Sequence, residues 1–166
     1  MDKVIKGKAL VLGNNIDTDL ICPGRYLELT DHKEIGSHCL AGVSEDIAPN
    51  FPKGGIIVAG TNFGCGSSRE HAAIAVLNMG TGAIIADSFA RIFYRNAINL
   101  GVPLMVCKGA AAAAKDGYSL SADIENGTVR IEETGEELKA EPITGKAMEI
   151  LEAGGIKPLM AAKHKA

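Results

Sequence analysis

Two adjacent hydroxyls and a guanidinium, lying between glycines and the start of an alanine-rich stretch, are the residues of this chain best suited to chemistry. They stand in Thr61-Asn62-Phe63-Gly64-Cys65-Gly66-Ser67-Ser68-Arg69-Glu70-His71-Ala72. The stretch leaves an aliphatic run, crosses a glycine-rich turn and enters a helix. Backbone N–H groups without intrahelical partners converge above such a turn, so an anion belongs there. Arg69 adds a planar, permanently charged fork that matches a carboxylate. With Ser67 and Ser68 beside it, the combination reads as a carboxylate clamp. Gly64 and Gly66 remove side chains that would block close approach, and Asn62 and Cys65 complete the supporting loop. Positive potential from the helix start and from Arg69 lowers the energy of an oxyanion. A serine here can act as a base, provided its alkoxide is strongly stabilised, with charge from a partner contributing.

Other readings of the same residues exist. Ser67 and Glu70 have the S-x-x-E spacing of a capping box, which accounts for both without catalysis but leaves Arg69 unexplained. A dinucleotide fingerprint needs glycine where Arg69 stands, although Gly64, Gly66 and Asp87 fall at tolerable positions. The nucleophile elbow G-x-S-x-G and the phosphate-binding G-x-x-x-x-G-K-[ST] are absent. Cys65 with His71 suggests a thiol nucleophile, yet no third group orients the pair, and a small thiol between glycines also serves packing.

The elements that must position this loop are legible on either side of it. Gly55-Ile56-Ile57-Val58-Ala59 is a strand, and residues 68–79 form a helix that stops at Gly80. Gly82-Ala83-Ile84-Ile85-Ala86 repeats the strand, 89–100 repeats the helix, and Pro103-Leu104-Met105-Val106-Cys107 gives a third strand. This alternation predicts an α/β fold with a parallel or mixed sheet and helices against it. Upstream, residues 7–12 form a strand ending at the turn Gly13-Asn14-Asn15. Residues 15–25 are expected to be a loop, in which Asp17 and Asp19 form turns or position the loop around Arg25. Residues 26–51 are expected to be mobile, with short helices near Asp31 and Ser44. Downstream, a single turn at 110–114 precedes a hairpin across Asn126-Gly127 and another turn at Thr134-Gly135. A terminal helix over 143–153 is capped by Gly154-Gly155, and the basic tail Lys163-His164-Lys165 is expected to fray. Arg91 and Arg95, four apart on one helix face, suit a surface or subunit contact.

Composition limits the partners. At 166 residues the chain is expected to be a single domain, with its core over about 7–155. Aromatic residues make up 4% and tryptophan is absent, so the core must be built from Ala, Val, Ile and Leu. A net charge of −3 with dispersed cations lacks the footprint of a nucleic-acid binder. Met1-Asp2-Lys3-Val4-Ile5-Lys6 places charges where a signal peptide needs apolar residues, and no apolar run suggests a membrane span. Cys22, Cys39, Cys65 and Cys107 have no C-x-x-C pair and no histidine at zinc-finger spacing. Reduced thiols in the cytoplasm are expected, and no metal site within this chain. Any iron-sulfur centre must come from elsewhere.

The active-loop sequence, together with Asn15-Ile16-Asp17-Thr18-Asp19, Pro23-Gly24-Arg25-Tyr26-Leu27 and Asp87-Ser88-Phe89-Ala90-Arg91-Ile92-Phe93-Tyr94-Arg95-Asn96-Ala97, resembles the aconitase superfamily. The resemblance is to the separate small subunits of 3-isopropylmalate dehydratase and homoaconitase, and spans most of residues 10–110. It implies a swivelling β/β/α three-layer domain with a mixed sheet. It also implies a hydro-lyase in which a large partner subunit holds a 4Fe4S cluster and this chain closes over it. By that resemblance Ser67 takes a proton from carbon, while Ser68 and Arg69 hold a substrate carboxylate. The alkene is then rehydrated with the hydroxyl on the neighbouring carbon, an isomerisation overall.

Substrate choice is read from Glu28 and Leu29. Relatives that act on tricarboxylates often carry arginine just after the Tyr-Leu pair, where this chain has Glu28. A carboxylate facing a carboxylate is unfavourable by roughly 1 kcal/mol in water and more when desolvated. An alkyl-substituted malate is therefore expected, with isopropylmalate of leucine biosynthesis first. Dimethylmalate, methylmalate and homoaconitate are the alternatives, and Glu28 as a solvated loop residue is the competing structural reading. A non-catalytic anion-binding or regulatory module is the contrasting functional class.

Overall fold

The computed structural model describes residues 2–165, so Met1 of the N-terminal reading lies outside the described residues. Along the chain run β1 (Val4–Val11), α1 (Thr18–Ile21), a 3-10 turn (Gly24–Tyr26), α2 (His32–Ser37), α3 (Ile47–Asn50), β2 (Ile56–Ala59), α4 (Glu70–Met79) and β3 (Ala83–Ala86). Then follow α5 (Arg91–Asn99), β4 (Leu104–Val106), α6 (Ala110–Ala113), β5 (Ser119–Asp123), β6 (Thr128–Ile131), β7 (Glu137–Lys139), α7 (Gly145–Ala153) and α8 (Ile156–Lys165). Every residue of β2 and β3 is buried, which is why these strands read as unbroken aliphatic runs.

One seven-stranded sheet carries the order β4-β3-β2-β1-β5-β6-β7. β2, β3 and β4 are parallel, joined by α4 and α5 as crossovers. β1 divides its length between two partners: Ala9, Leu10 and Val11 run parallel to Ile56, Ile57 and Val58, whereas 4–8 pair antiparallel with β5. The second half is an antiparallel meander, β5 against β6 and β6 against β7. The sheet curls until its ends meet, since the Glu141 N–H donates to the Val106 carbonyl at 2.8 Å. This is the mixed α/β architecture that the alternation predicts.

Several expectations are corrected. Residues 15–25 are not all loop: Asp17 caps α1, accepting from the N–H groups of Asp19 and Leu20. Four residues are too few to show a helical period in the sequence. The stretch 26–51 is packed rather than loose, with Ile35, Cys39 and Leu40 buried and α2 lying against α4. Asp31 caps α2 as the sequence suggests. α4 starts at Glu70, two residues after the expected start at Ser68. The chain beyond Gly155 is not only a tail: α8 carries it on to Lys165, Pro158 sits in its first turn where a missing N–H costs nothing, and Leu159 is buried.

Candidate active site

β1 and β2 run parallel, so the loops that follow them rise from the same edge of the sheet. Backbone bonds lace these loops together: Gly60 N–H to Gly13 O at 3.1 Å, Asn15 to Thr61 at 2.8 Å, Gly64 to Ile16 at 2.7 Å and Thr18 to Cys65 at 2.7 Å. Asn14 Oδ1 accepts from the Thr61 N–H at 2.8 Å. Asn15 and Asn62 both take the left-handed conformation, at φ 55° and 59°, and Asn62 Nδ2 donates to Asn15 Oδ1 at 3.3 Å. Asparagine tolerates that region better than most residues.

A third segment, after β3, pins the other side. The Asn62 N–H donates to Ser88 Oγ at 2.8 Å, and the Ala90 N–H donates to the Phe63 carbonyl at 2.9 Å. Phe63 is fully buried, edge-on to Phe89 and Phe93. The loop is therefore anchored by a ring in the core and by backbone bonds on both flanks.

The turn itself depends on two glycines. Gly64 has φ 84°, and a Cβ there would come within 2.3 Å of the Phe93 ring. Gly66 has φ 104°, and its missing Cβ leaves room for Thr18 Oγ1, which would stand 3.1 Å from it. Thr18 is only 3% exposed, and its hydroxyl accepts from the Ser67 N–H at 3.2 Å and lies 3.4 Å from Ser67 Oγ. The capping-box reading is not realised. Arg69 occupies the N-cap of α4 with no side-chain cap bond, so Ser67 is left out of the helix terminus.

A cleft of about 160 Å³ opens here, lined by Asp17, Thr18, Asp19, Gly66, Ser67 and Arg69. Ser67 and Arg69 are exposed at it, not turned into apolar packing. Ser68 is exposed beside the cleft and does not line it. Arg69 Nη1 stands 3.7 Å from Asp19 Oδ1, which also accepts from the Gly24 N–H at 3.2 Å. One cation thus faces two carboxylates, so this chain alone does not supply the electropositive pocket that Arg69 suggests. Larger concavities lie elsewhere: one of about 490 Å³ between β1 and α3, and one of about 400 Å³ that includes Asp87, Arg91 and Lys108. Neither contains the converging hydroxyls.

The remaining expected residues are more scattered. Glu28 is exposed and Leu29 is half-buried against the core, and neither lines the cleft. Asp17 and Asp19 hold turns, Asp17 capping α1 and Asp19 accepting from the Gly24 N–H beside Arg25, while Arg25 itself pairs with Glu45. Cys65 is half-buried, and its carbonyl holds Thr18. Thr18 also lines the cleft, and the sequence marks it by no chemistry of its own, only by its place in Asn15-Ile16-Asp17-Thr18-Asp19.

Ligand chemistry for a cluster is poor within this chain. Among the described residues no three of His, Cys, Asp and Glu gather as a metal-binding group. Burial pushes the Cys22 thiol up, against the opposing charge of Arg69, and burial pushes Cys107 up to about 11. Cys39, completely buried, is held protonated for the same reason.

Comparison with known proteins gives consistent results. Residues 45–108 match the model of the aconitase C-terminal domain. The chain is 50% identical to 3-isopropylmalate dehydratase small subunit 1 of Methanopyrus kandleri, over 96% of this chain and 94% of the relative. It is 46% identical to the isopropylmalate/citramalate isomerase small subunit of Methanocaldococcus jannaschii, over 98% and 97%. A crystal structure of 3-isopropylmalate dehydratase from M. jannaschii superposes with a TM-score of 0.93 at 43% identity, covering 98% of this chain and 96% of that one.

Proposed function

The chain belongs to the family of 3-isopropylmalate dehydratase small subunits, and on that premise we propose that it completes the active site of a hydro-lyase acting on a 2-hydroxy dicarboxylic acid. The observation that carries the reading is the Ser67 hydroxyl, held at an open cleft beside Arg69 by a loop pinned on both flanks. Ser67, as alkoxide, takes a proton from the carbon next to the hydroxyl-bearing one. Loss of that proton and of the hydroxyl leaves an alkene and water, and readdition on the neighbouring carbon isomerises the acid. Arg69 holds one carboxylate in the cleft, with Asp19 keeping the guanidinium there and the Ser68 hydroxyl, exposed beside the cleft, adding a donor at its rim.

A cleft of about 160 Å³ lined on one side cannot enclose a branched diacid, and its carboxylates offset its one cation. A large partner subunit supplies the facing wall and the further positive charge. A 4Fe4S cluster on that partner supplies Lewis acidity toward the departing hydroxyl. The four cysteines of this chain lie in separate segments and, among the described residues, do not gather with other ligand side chains to hold it. Free cysteines suit a cytoplasmic location.

For substrate, we infer an alkylmalate, first isopropylmalate and hence leucine biosynthesis. The support is charge: Glu28 is an anion, and Arg25 is neutralised by Glu45, so the loop offers no free cation to a third carboxylate. Citramalate, named for one relative, and homoaconitate are the competitors to assay. The test mixes this chain with its cluster-bearing large subunit and compares the candidate acids. Ser67→Ala is expected to lower kcat by about 10²- to 10⁴-fold. Near-full turnover removes Ser67 from its role, and tight binding of malate analogues by the isolated chain favours a non-catalytic anion-binding module instead.

A further inference from the structure

We propose that Thr18 is a positioning residue for the Ser67 alkoxide, supplying a buried hydrogen-bond donor from a different segment of the chain. The inference rests on the assignment of Ser67 as base. Its starting point is an accounting of one hydroxyl. Thr18 Oγ1 accepts from the Ser67 N–H at 3.2 Å, which uses a lone pair and leaves the hydroxyl proton to be placed. Ser67 Oγ, at 3.4 Å, is the other hydrogen-bonding group at this hydroxyl. A hydroxyl 3% exposed in a protein interior turns its proton to an acceptor if one is within reach.

The surroundings fix Thr18 in this position. Asp17 caps the helix that carries it, the Thr18 N–H donates to the Cys65 carbonyl at 2.7 Å, and its own carbonyl accepts from Cys22 at 2.8 Å. Gly66 is bare of a side chain at the point where Thr18 Oγ1 approaches. The same threonine thus grips the amide and faces the oxygen of one residue. A 3.4 Å contact is long for a neutral pair. It becomes a short charge-assisted bond once Ser67 carries negative charge, so its strength grows with the state that reacts. The proton stays on Thr18 throughout: the substrate proton goes to Ser67, and Thr18 afterwards donates to a neutral hydroxyl.

The experiment uses the assembled two-subunit enzyme. Thr18→Val removes the hydroxyl at nearly constant shape, and Thr18→Ser keeps it. Thr18→Val is expected to lower kcat by about 10- to 100-fold with KM nearly unchanged, and to move the rise of activity with pH to higher pH. Exchange of the substrate's carbon-bound hydrogen with solvent is expected to slow in proportion, and Thr18→Ser to restore most of both. Should valine prevent assembly, Thr18→Ala takes its place under the same criteria. Unchanged kcat and pH profile in the hydroxyl-free variant overturns the inference while leaving the Ser67 assignment in place. So does an equal loss in Thr18→Ser, which marks a packing role. Full turnover in Ser67→Ala instead overturns the assignment on which the inference rests.

Discussion

Arg25 is held by Glu45, twenty residues further along the chain. Its guanidinium lies 4.7 Å over the Tyr26 ring, the Tyr26 hydroxyl donates to the same Glu45, and Tyr26 stacks on His38 at 4.0 Å. These contacts close the segment carrying Glu28 and Leu29 onto the segment after α2. The Arg25 guanidinium holds the Glu45 carboxyl below the usual carboxylate range, with Tyr26 adding to the effect and burial opposing it. A depressed carboxyl contributes stability that is present above its unfolded value and lost as pH falls through its folded one. The pair is exposed, so the effect is small and salt-sensitive. Thermal unfolding from pH about 5 down to about 3 is expected to show a steeper loss in the native chain than in Glu45→Gln. Parallel curves rule the contact out as a contributor.

At the scale of elements, the turn at 63–69 shows how much of a loop is decided by what lies beneath it. Phe63 enters the core, and Gly64 must then pass Phe93 with no side chain and a positive φ. Gly64→Ala is expected to cost about 2–4 kcal/mol, from left-handed strain plus overlap with the ring, and to lower the denaturant midpoint accordingly. A change under about 0.5 kcal/mol shows that the turn can relax, and that its shape is not fixed by this packing. The spelling of the turn was readable because glycines, hydroxyls and a guanidinium are informative residue types. α4 starts at Glu70, two residues later than the S-x-x-E pattern of Ser67 and Glu70 suggests. Thr18 took Ser67 in that competition, and nothing local to the turn reports a threonine nearly fifty residues away.

Across the whole molecule, β1 is the shared member of two differently built half-sheets, and α7 and α8 pack against α5 behind the parallel half. Ending the chain after Gly155 removes Leu159 from its buried position. That loss is expected to destabilise by about 2 kcal/mol and lower Tm by roughly 4–8 °C, and an unchanged Tm would show that α8 contributes no packing. The sequence by itself determined what depends on neighbours in the chain. The aliphatic runs of β2, β3 and β4, the turn at Asn126-Gly127, the helix stops at Gly80 and Gly154, and the candidacy of Ser67 and Arg69 all follow from residue type and short-range spacing. Only the tertiary structure decided what depends on partners far along the chain. It split β1 between parallel and antiparallel neighbours, closed the sheet at Glu141, gave Arg25 to Glu45, and set Thr18 under Ser67. The physical reason is that hydrogen-bond and ionic valences are few and go to whichever group packing brings near, and packing is a property of the folded whole.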